Sequence, residues 1–307
     1  MTDIDIILFD PTQFYTSVNP YWIPVRAGVL LASQMQEINV HYHTPTCNGE
    51  YNFSQIHADL ANIIKSVSAR KPKGVVFSAP DFAYQAPYVK KYLLDEGIPV
   101  VTLDAVHEMP YEGLFGVGSD SLKEGELSLQ KLNPKNGDTI MICRHYKRGN
   151  SDLFDERDAG ISRYLAENNL GDCKVIDAFL EVGSNTDNTQ TLISSIQKHQ
   201  PQHILTYNVQ TSSAIIKTIK TLIDRGENPQ IKICCHDLTQ EVLKGIDDGI
   251  VECAIDQQPF LMGFLSVTLF GVYLVHGIKP PKYIQTGPHL IDLSNIKETL
   301  LKFSQKR

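Results

Sequence analysis

Short apolar runs alternate with longer segments of helical period along almost the whole chain, and few folds accept that pattern. Ile4 to Phe9, Asn39 to His43, Gly74 to Phe77, Ile98 to Leu103 and Phe115 to Val117 read as strands. Between them, Pro20 to Gln36, Phe53 to Ala69 and Pro87 to Glu96 place apolar residues three and four apart, as in Ile56, Leu60, Ile63 and Ile64. The pattern then restarts. Strands at Thr139 to Cys143, Lys174 to Phe179, His203 to Thr206, Ile231 to Cys235 and Cys253 to Ile255 alternate with helices at Ser121 to Leu132, Asp155 to Glu167, Thr189 to Lys198, Ser212 to Arg225 and Thr239 to Asp248. Strands separated by a helix pair in parallel and are covered by helices on both faces. Two such runs predict an α/β chain of two doubly wound parallel-sheet lobes. A last long apolar helix, Pro259 to about His276, contains some small and polar residues and is expected to be buried rather than to span a membrane.

A chain of 307 residues has room for two lobes of ordinary size. With 42% hydrophobic and 21% charged residues, its composition is globular. The net charge is −7 and Lys and Arg are scattered, so nucleic acid is not expected as a direct partner. Met1-Thr2-Asp3-Ile4-Asp5 shows no basic leader segment, so no export signal is visible, whether absent or trimmed. Six cysteines include no CxxC pair. Cys143, Cys234, Cys235 and Cys253 sit in apolar strand runs and are expected to be buried free thiols.

In open parallel sheets, ligands bind beyond the carboxyl ends of the strands, and those ends are polar or aromatic here. Phe14, Tyr15, Asn19, Tyr21 and Trp22 follow the first strand, Ser78, Asp81, Phe82 and Tyr84 the third, and Asp104 the fourth. In the second half come Arg144 and His145, Glu181, Tyr207 and Asn208, His236 and Asp237, and Asp256 and Gln257. Carboxylates such as Asp104 and Asp237 accept hydrogen bonds from hydroxyls, or equally cap a helix. Asn208 both donates and accepts, or forms an Asx-turn. The aromatics can stack on a flat ligand or fill a wall. No HExxH, GxSxG, Walker or GxGxxG sequence occurs, so no catalytic residue, metal site or cofactor is expected.

Asn19-Pro20-Tyr21-Trp22, Gly97 to Asp104, Gly116-Val117-Gly118-Ser119-Asp120, Glu156-Arg157-Asp158-Ala159-Gly160 and Asp256-Gln257-Gln258-Pro259, in this order, resemble the type I periplasmic binding proteins of the ribose and galactose group. That family shares its fold with the effector domains of lactose-repressor-type regulators. The resemblance covers about Ile4 to Asn295. It implies two lobes joined by three crossovers, with a cleft between them that closes on ligand. The expected lobes are 1–118 plus 257–284, and 119–256 plus about 285–307. It further implies ligand contacts from Phe14, Tyr15, Asn19, Tyr21, Trp22, Asp81, Asp104, Asp155, Arg157, Asn208, Asp237 and Gln257, with the Asp256-Gln257 segment as a hinge. Asp155 stands where the family often has a sugar-binding Arg, so an amine-bearing ligand enters beside sugars and polyols.

The expected function is therefore an extracytoplasmic solute-binding protein, a monomer and not an enzyme, that captures a sugar or sugar-like molecule. It would serve a membrane permease of the ABC importer class or a membrane sensor kinase. The alternative is the ligand-sensing domain of a cytoplasmic transcription regulator without its DNA-binding part.

Overall fold

The computed structural model describes residues 2–8, 21–45, 53–78, 81–103, 111–145, 151–181 and 187–297. Phe14, Tyr15, Asn19 and Asp104 lie outside the described residues. The chain divides into two units. Unit 1 comprises Met1–Asp120, Gly149–Leu153 and Gln257–Gly287; unit 2 comprises Ser121–Arg148, Phe154–Asp256 and Pro288–Arg307.

In unit 1, strands β1 (Thr2–Leu8), β2 (Ile38–His43), β3 (Val75–Ser78), β4 (Val100–Leu103), β5 (Leu114–Ser119) and β11 (Tyr283–Gly287) form one sheet in the order β11-β5-β4-β3-β1-β2. All of its pairings are parallel. Side chains alternate across it as a period of two requires. Ile4 and Ile6 enter one apolar cluster, with Val25 and Val29 of α1 (Trp22–Gln36) and Met262, Val267 and Phe270 of α9 (Pro259–His276). Ile7 enters the other, with Ile56, Leu60 and Ile64 of α2 (Phe53–Arg70) and Val89 of α3 (Phe82–Tyr92). Asp5 is buried between such neighbours and is paired with Arg70 at 2.9 Å and with the His43 ring at 2.5 Å.

Unit 2 repeats this plan. Strands β6 (Thr139–Arg144), β7 (Lys174–Phe179), β8 (His203–Thr206), β9 (Lys232–His236), β10 (Cys253–Asp256) and β12 (His289–Asp292) stand in the order β12-β10-β9-β8-β6-β7, so β6 takes the place of β1 and β10 that of β5. Its one departure is β12, which pairs antiparallel with β10. Its helices are α4 (Ser121–Leu132), α5 (Asp152–Glu167), α6 (Thr189–His199), α7 (Val209–Asp224) and α8 (Gln240–Asp247). Cys143, Cys234, Cys235 and Cys253 are buried free thiols.

Among the described residues, each unit contains a helix pair in backbone contact. A Cβ on Gly28 would lie 2.1 Å from the Phe260 carbonyl oxygen, and one on Gly263 2.1 Å from that of Val25, so α1 and α9 touch. A Cβ on Gly125 would lie 2.1 Å from the Arg157 carbonyl oxygen, and one on Gly160 2.0 Å from that of Leu122, so α4 and α5 touch in the same way.

The expectation that the last helix is buried needs correction. α9 is long and apolar enough by length and composition to cross a membrane, but only 33% of it is buried, on the face that meets the unit 1 sheet and α1. Its remaining face is apolar as well, which is why composition alone read it as core.

Candidate functional site

The carboxyl ends of β6, β8, β9 and β10 in unit 2 collect polar groups above a buried ionic network. β6 ends on Arg144, which is fully buried. Its guanidinium makes a two-pronged pair with Asp158 of α5, at 3.0 Å on each prong, and lies 2.8 Å from Asp177 of β7. Burial opposes the Arg144 charge, and the Asp158 carboxylate offsets that, so the group stays firmly cationic. The Tyr207 hydroxyl donates to the same carboxylate at 2.5 Å.

Arg157, one position before Asp158, is fully buried too. Its Nε donates to Glu124 of α4 at 2.5 Å and its Nη1 to the Tyr207 carbonyl oxygen at 2.6 Å. The helix contact at Gly125 and Gly160 sets this geometry, because it brings the α4 acid against the α5 base without a long reach. Arg157 Nη2 has no hydrogen-bond partner among the described residues. The carboxylate of Asp237 acts on Arg157 through space, along with Glu124.

His236 closes the network from β9. Its Nδ1 is 2.6 Å from the Thr206 carbonyl oxygen, which can only accept, so Nδ1 carries the proton. Burial, and then the Arg157 charge, drive its pKa well below the usual histidine value, leaving a neutral ring. The ring stands edge-on to Tyr207, with centroids 5.7 Å apart. Thr206 Oγ1 accepts from the His236 amide at 3.2 Å and donates to Ser212 Oγ at 2.7 Å, which donates to the His236 carbonyl at 3.0 Å. That closed chain ties the end of β8 to the end of β9 and to α7.

The loop residues sit on this base. Asn208 is the N-cap of α7. Its Oδ1 accepts from the Thr211 amide at 3.0 Å in a reciprocal capping box, so the cap engages Oδ1 rather than Nδ2. Asp237 is buried and takes a left-handed φ of 68°, with its amide bonded to Ile255 O at 3.0 Å. A non-glycine residue held there is strained, as residues at ligand sites often are. Asp155 is half-buried on α5.

Unit 1 places the remaining expected residues less uniformly. Trp22 is buried in the α1–α9 core, edge-on to Tyr21 at 5.1 Å, and the Tyr21 hydroxyl points to Met262 Sδ at 3.5 Å. Asp81 caps α3 by accepting from the Tyr84 amide at 3.2 Å. Gln257 is buried, and its carbonyl accepts from Thr286 Oγ1 at 2.9 Å. The structure thus gathers Arg157, Asn208 and Asp237 in one place, sets Tyr21 beside Trp22, and gives Asp81 a local capping task. Glu124 and Asp158 were not foreseen. Each is an acid on the buried face of its helix, and that misplacement was the available signal. Among the described residues no cluster of three or more His, Cys, Asp or Glu is placed to hold a metal.

A family model described as the periplasmic binding protein domain matches residues 14–276. The chain belongs to that family. Among curated relatives of this periplasmic binding protein, the xylose/arabinose-binding protein XylF of Sulfolobus acidocaldarius is 23% identical over 94% of this chain and 71% of that one. Two solved structures share the fold. A putative LacI transcriptional regulator from Bacteroides fragilis has a TM-score of 0.79 and 20% identity, covering 97% of this chain and 99% of that one. A carbohydrate transporter from Acidothermus cellulolyticus, solved with myo-inositol, has a TM-score of 0.78 and 20% identity, covering 99% and 98%.

Proposed function

We propose that this periplasmic binding protein captures a small polyhydroxylated solute, a sugar or cyclic polyol, outside the cytoplasm, without turning it over. It would hand the solute to an importer permease or report it to a membrane sensor kinase. The observation that carries this reading is the seating of Asn208 and Asp237 on the buried Arg157–Glu124–Tyr207 network. A carboxylate and an amide held by a rigid base accept from and donate to hydroxyls with little ordering cost on binding. The names of the relatives, one a xylose/arabinose-binding protein and one a structure holding myo-inositol, support the solute class. Arg157, whose Nη2 has no hydrogen-bond partner among the described residues, is a further donor toward such a solute. Lobe closure on the solute would be a shift between pre-existing states.

Titration calorimetry against pentoses, hexoses, inositols and, because of Asp155, amino sugars tests this. Asp237→Ala is expected to weaken the best ligand by about 100-fold, the loss of a hydrogen bond to a charged group. Retention of full affinity in both Asp237→Ala and Asn208→Ala would remove the site from consideration.

The buried free thiols and the likeness to a putative transcriptional regulator favour a second reading, a cytoplasmic sensing domain. The upstream coding sequence separates the two: an export signal supports the first, a DNA-binding segment the second.

A further inference from the structure

The helix pairs α1–α9 and α4–α5 occupy equivalent places in the two units, and their outer faces have opposite character. On α4 and α5 the exposed side chains include Lys123, Gln130, Ser162, Arg163 and Glu167, the usual covering of a solvated helix. On α1 and α9 they include Ile23 (53% exposed), Leu30 (57%), Leu31 (42%), Met35 (68%), Leu261 (37%) and Val275 (58%). These are six of the twelve large apolar side chains exposed among the described residues. The partly exposed Leu265 and Val272 continue the stripe along α9. Because Gly28 and Gly263 bring the two helices into contact, the stripes merge into one surface.

We infer that this face binds a second copy of the chain, making a two-fold dimer through unit 1. Three observations choose that occupant. First, the area fits: six half-exposed side chains and those between them present on the order of 500 Å² of apolar surface, at the upper end for a monomer's largest patch. With its rim, that approaches the roughly 800 Å² per partner of a standard interface. Second, the charge fits. The chain carries a net charge of −7, yet neither α1 nor α9 contains an Asp or Glu. Two copies can therefore meet here without the like-charge repulsion that other approaches incur. Third, the face lacks what a lipid surface selects. Helices that lie on membranes flank their apolar face with Lys and Arg. Here Arg26 is the one such residue on the pair, and its guanidinium lies over the Tyr42 ring at 4.9 Å. An isologous contact needs only that the patch complement itself across the axis, which a mainly apolar stripe, interrupted by Gln34 on α1 and Thr268 on α9, does. The dimer stands independently of the ligand reading and departs from the expected monomer.

Sedimentation velocity on the full chain, across about 1 to 100 μM, tests it. The expected result is a mass rising from 34.4 kDa toward twice that value. Leu30→Glu and, separately, Val275→Glu should each raise the self-dissociation constant by about 100-fold or more, by placing like charges across the axis. Far-ultraviolet circular dichroism should be unchanged, since both positions are exposed, and the thermal transition should fall only by the linkage lost with the dimer, converging on the wild type at low concentration. Ile223→Glu, an exposed apolar site on α7 of unit 2, should leave the dimer intact. A wild-type chain monomeric at every concentration overturns the proposal, as does a dimer that Leu30→Glu and Val275→Glu leave untouched. Co-flotation of the wild type with phosphatidylcholine vesicles, lost in Leu30→Glu while the protein stays monomeric, overturns it in favour of lipid.

Discussion

The α1–α9 and α4–α5 pairs are the same construction with opposite contents. Each crosses on two glycines whose absent side chains let backbones meet. In unit 2 the contact encloses charge: Glu124 and Arg157 face one another at 2.5 Å, both 0% exposed. In unit 1 the equivalent helices hold mainly apolar groups at their contact, with the Gln36 amide against Gly271 at one end, and display more apolar groups outside. The comparison teaches that the fold fixes where two helices touch and leaves open what the contact is for. One pair is a pedestal for loop residues; the other is a surface.

The sharpest way to break this contrast is to remove half of the enclosed ion pair. Arg157→Leu is expected to cost about 3–5 kcal/mol, because Glu124 is left buried without its partner. Adding Glu124→Leu should recover most of that, which a double-mutant cycle in urea would show. If Arg157→Leu were nearly silent, the pedestal would not be ionic. Next in size are the glycines. Gly160→Ala and Gly28→Ala should each lower stability by about 1–3 kcal/mol or more through forced separation of the helices, and by similar amounts in the two units. Differential scanning calorimetry would reveal an asymmetry if one contact is looser. Tyr207→Phe should cost about 1–2 kcal/mol by leaving Asp158 short of a donor. It should also weaken ligand binding, whereas Leu30→Glu should not.

The effect of pH is small near neutrality and grows on acidification. His236 is held neutral with its pKa well below 6.5, and burial lowers His145 to about 4. Below pH 6.5 the unfolded chain binds these protons while the folded one does not, so the unfolded state gains. Stability should be full above pH 6.5 and decline as pH falls toward about 4. In urea titrations, His236→Gln should flatten part of that slope.

The architecture was readable because both mainly parallel sheets require buried strands between amphipathic helices. The run Val75 to Ser78, buried at every position, shows how plainly such strands announce themselves. The site was readable only in part. Asn208 and Asp237 stood out as polar residues at strand ends. Glu124 and Asp158 carried only the signal of an acid on an apolar helix face, and their partners emerge only when the topology brings Gly125 against Gly160. α9 misled for the converse reason. Periodicity separates an apolar face from a polar one, and α9 has no polar face to separate.

One consequence of the unit 2 interior concerns its sulfur atoms. Cys143, Cys234, Cys235 and Cys253 are sealed away, and burial holds the Cys143 thiol up at about 12, far from the reactive thiolate. Cys234 and Cys253 are register partners on adjacent strands, carried side by side without a bond. A membrane-permeant alkylating reagent would therefore ignore these four positions in intact molecules and mark them only in those whose lobe has come apart. The protein carries its own unfolding clock, and the modified fraction after a fixed time reads it.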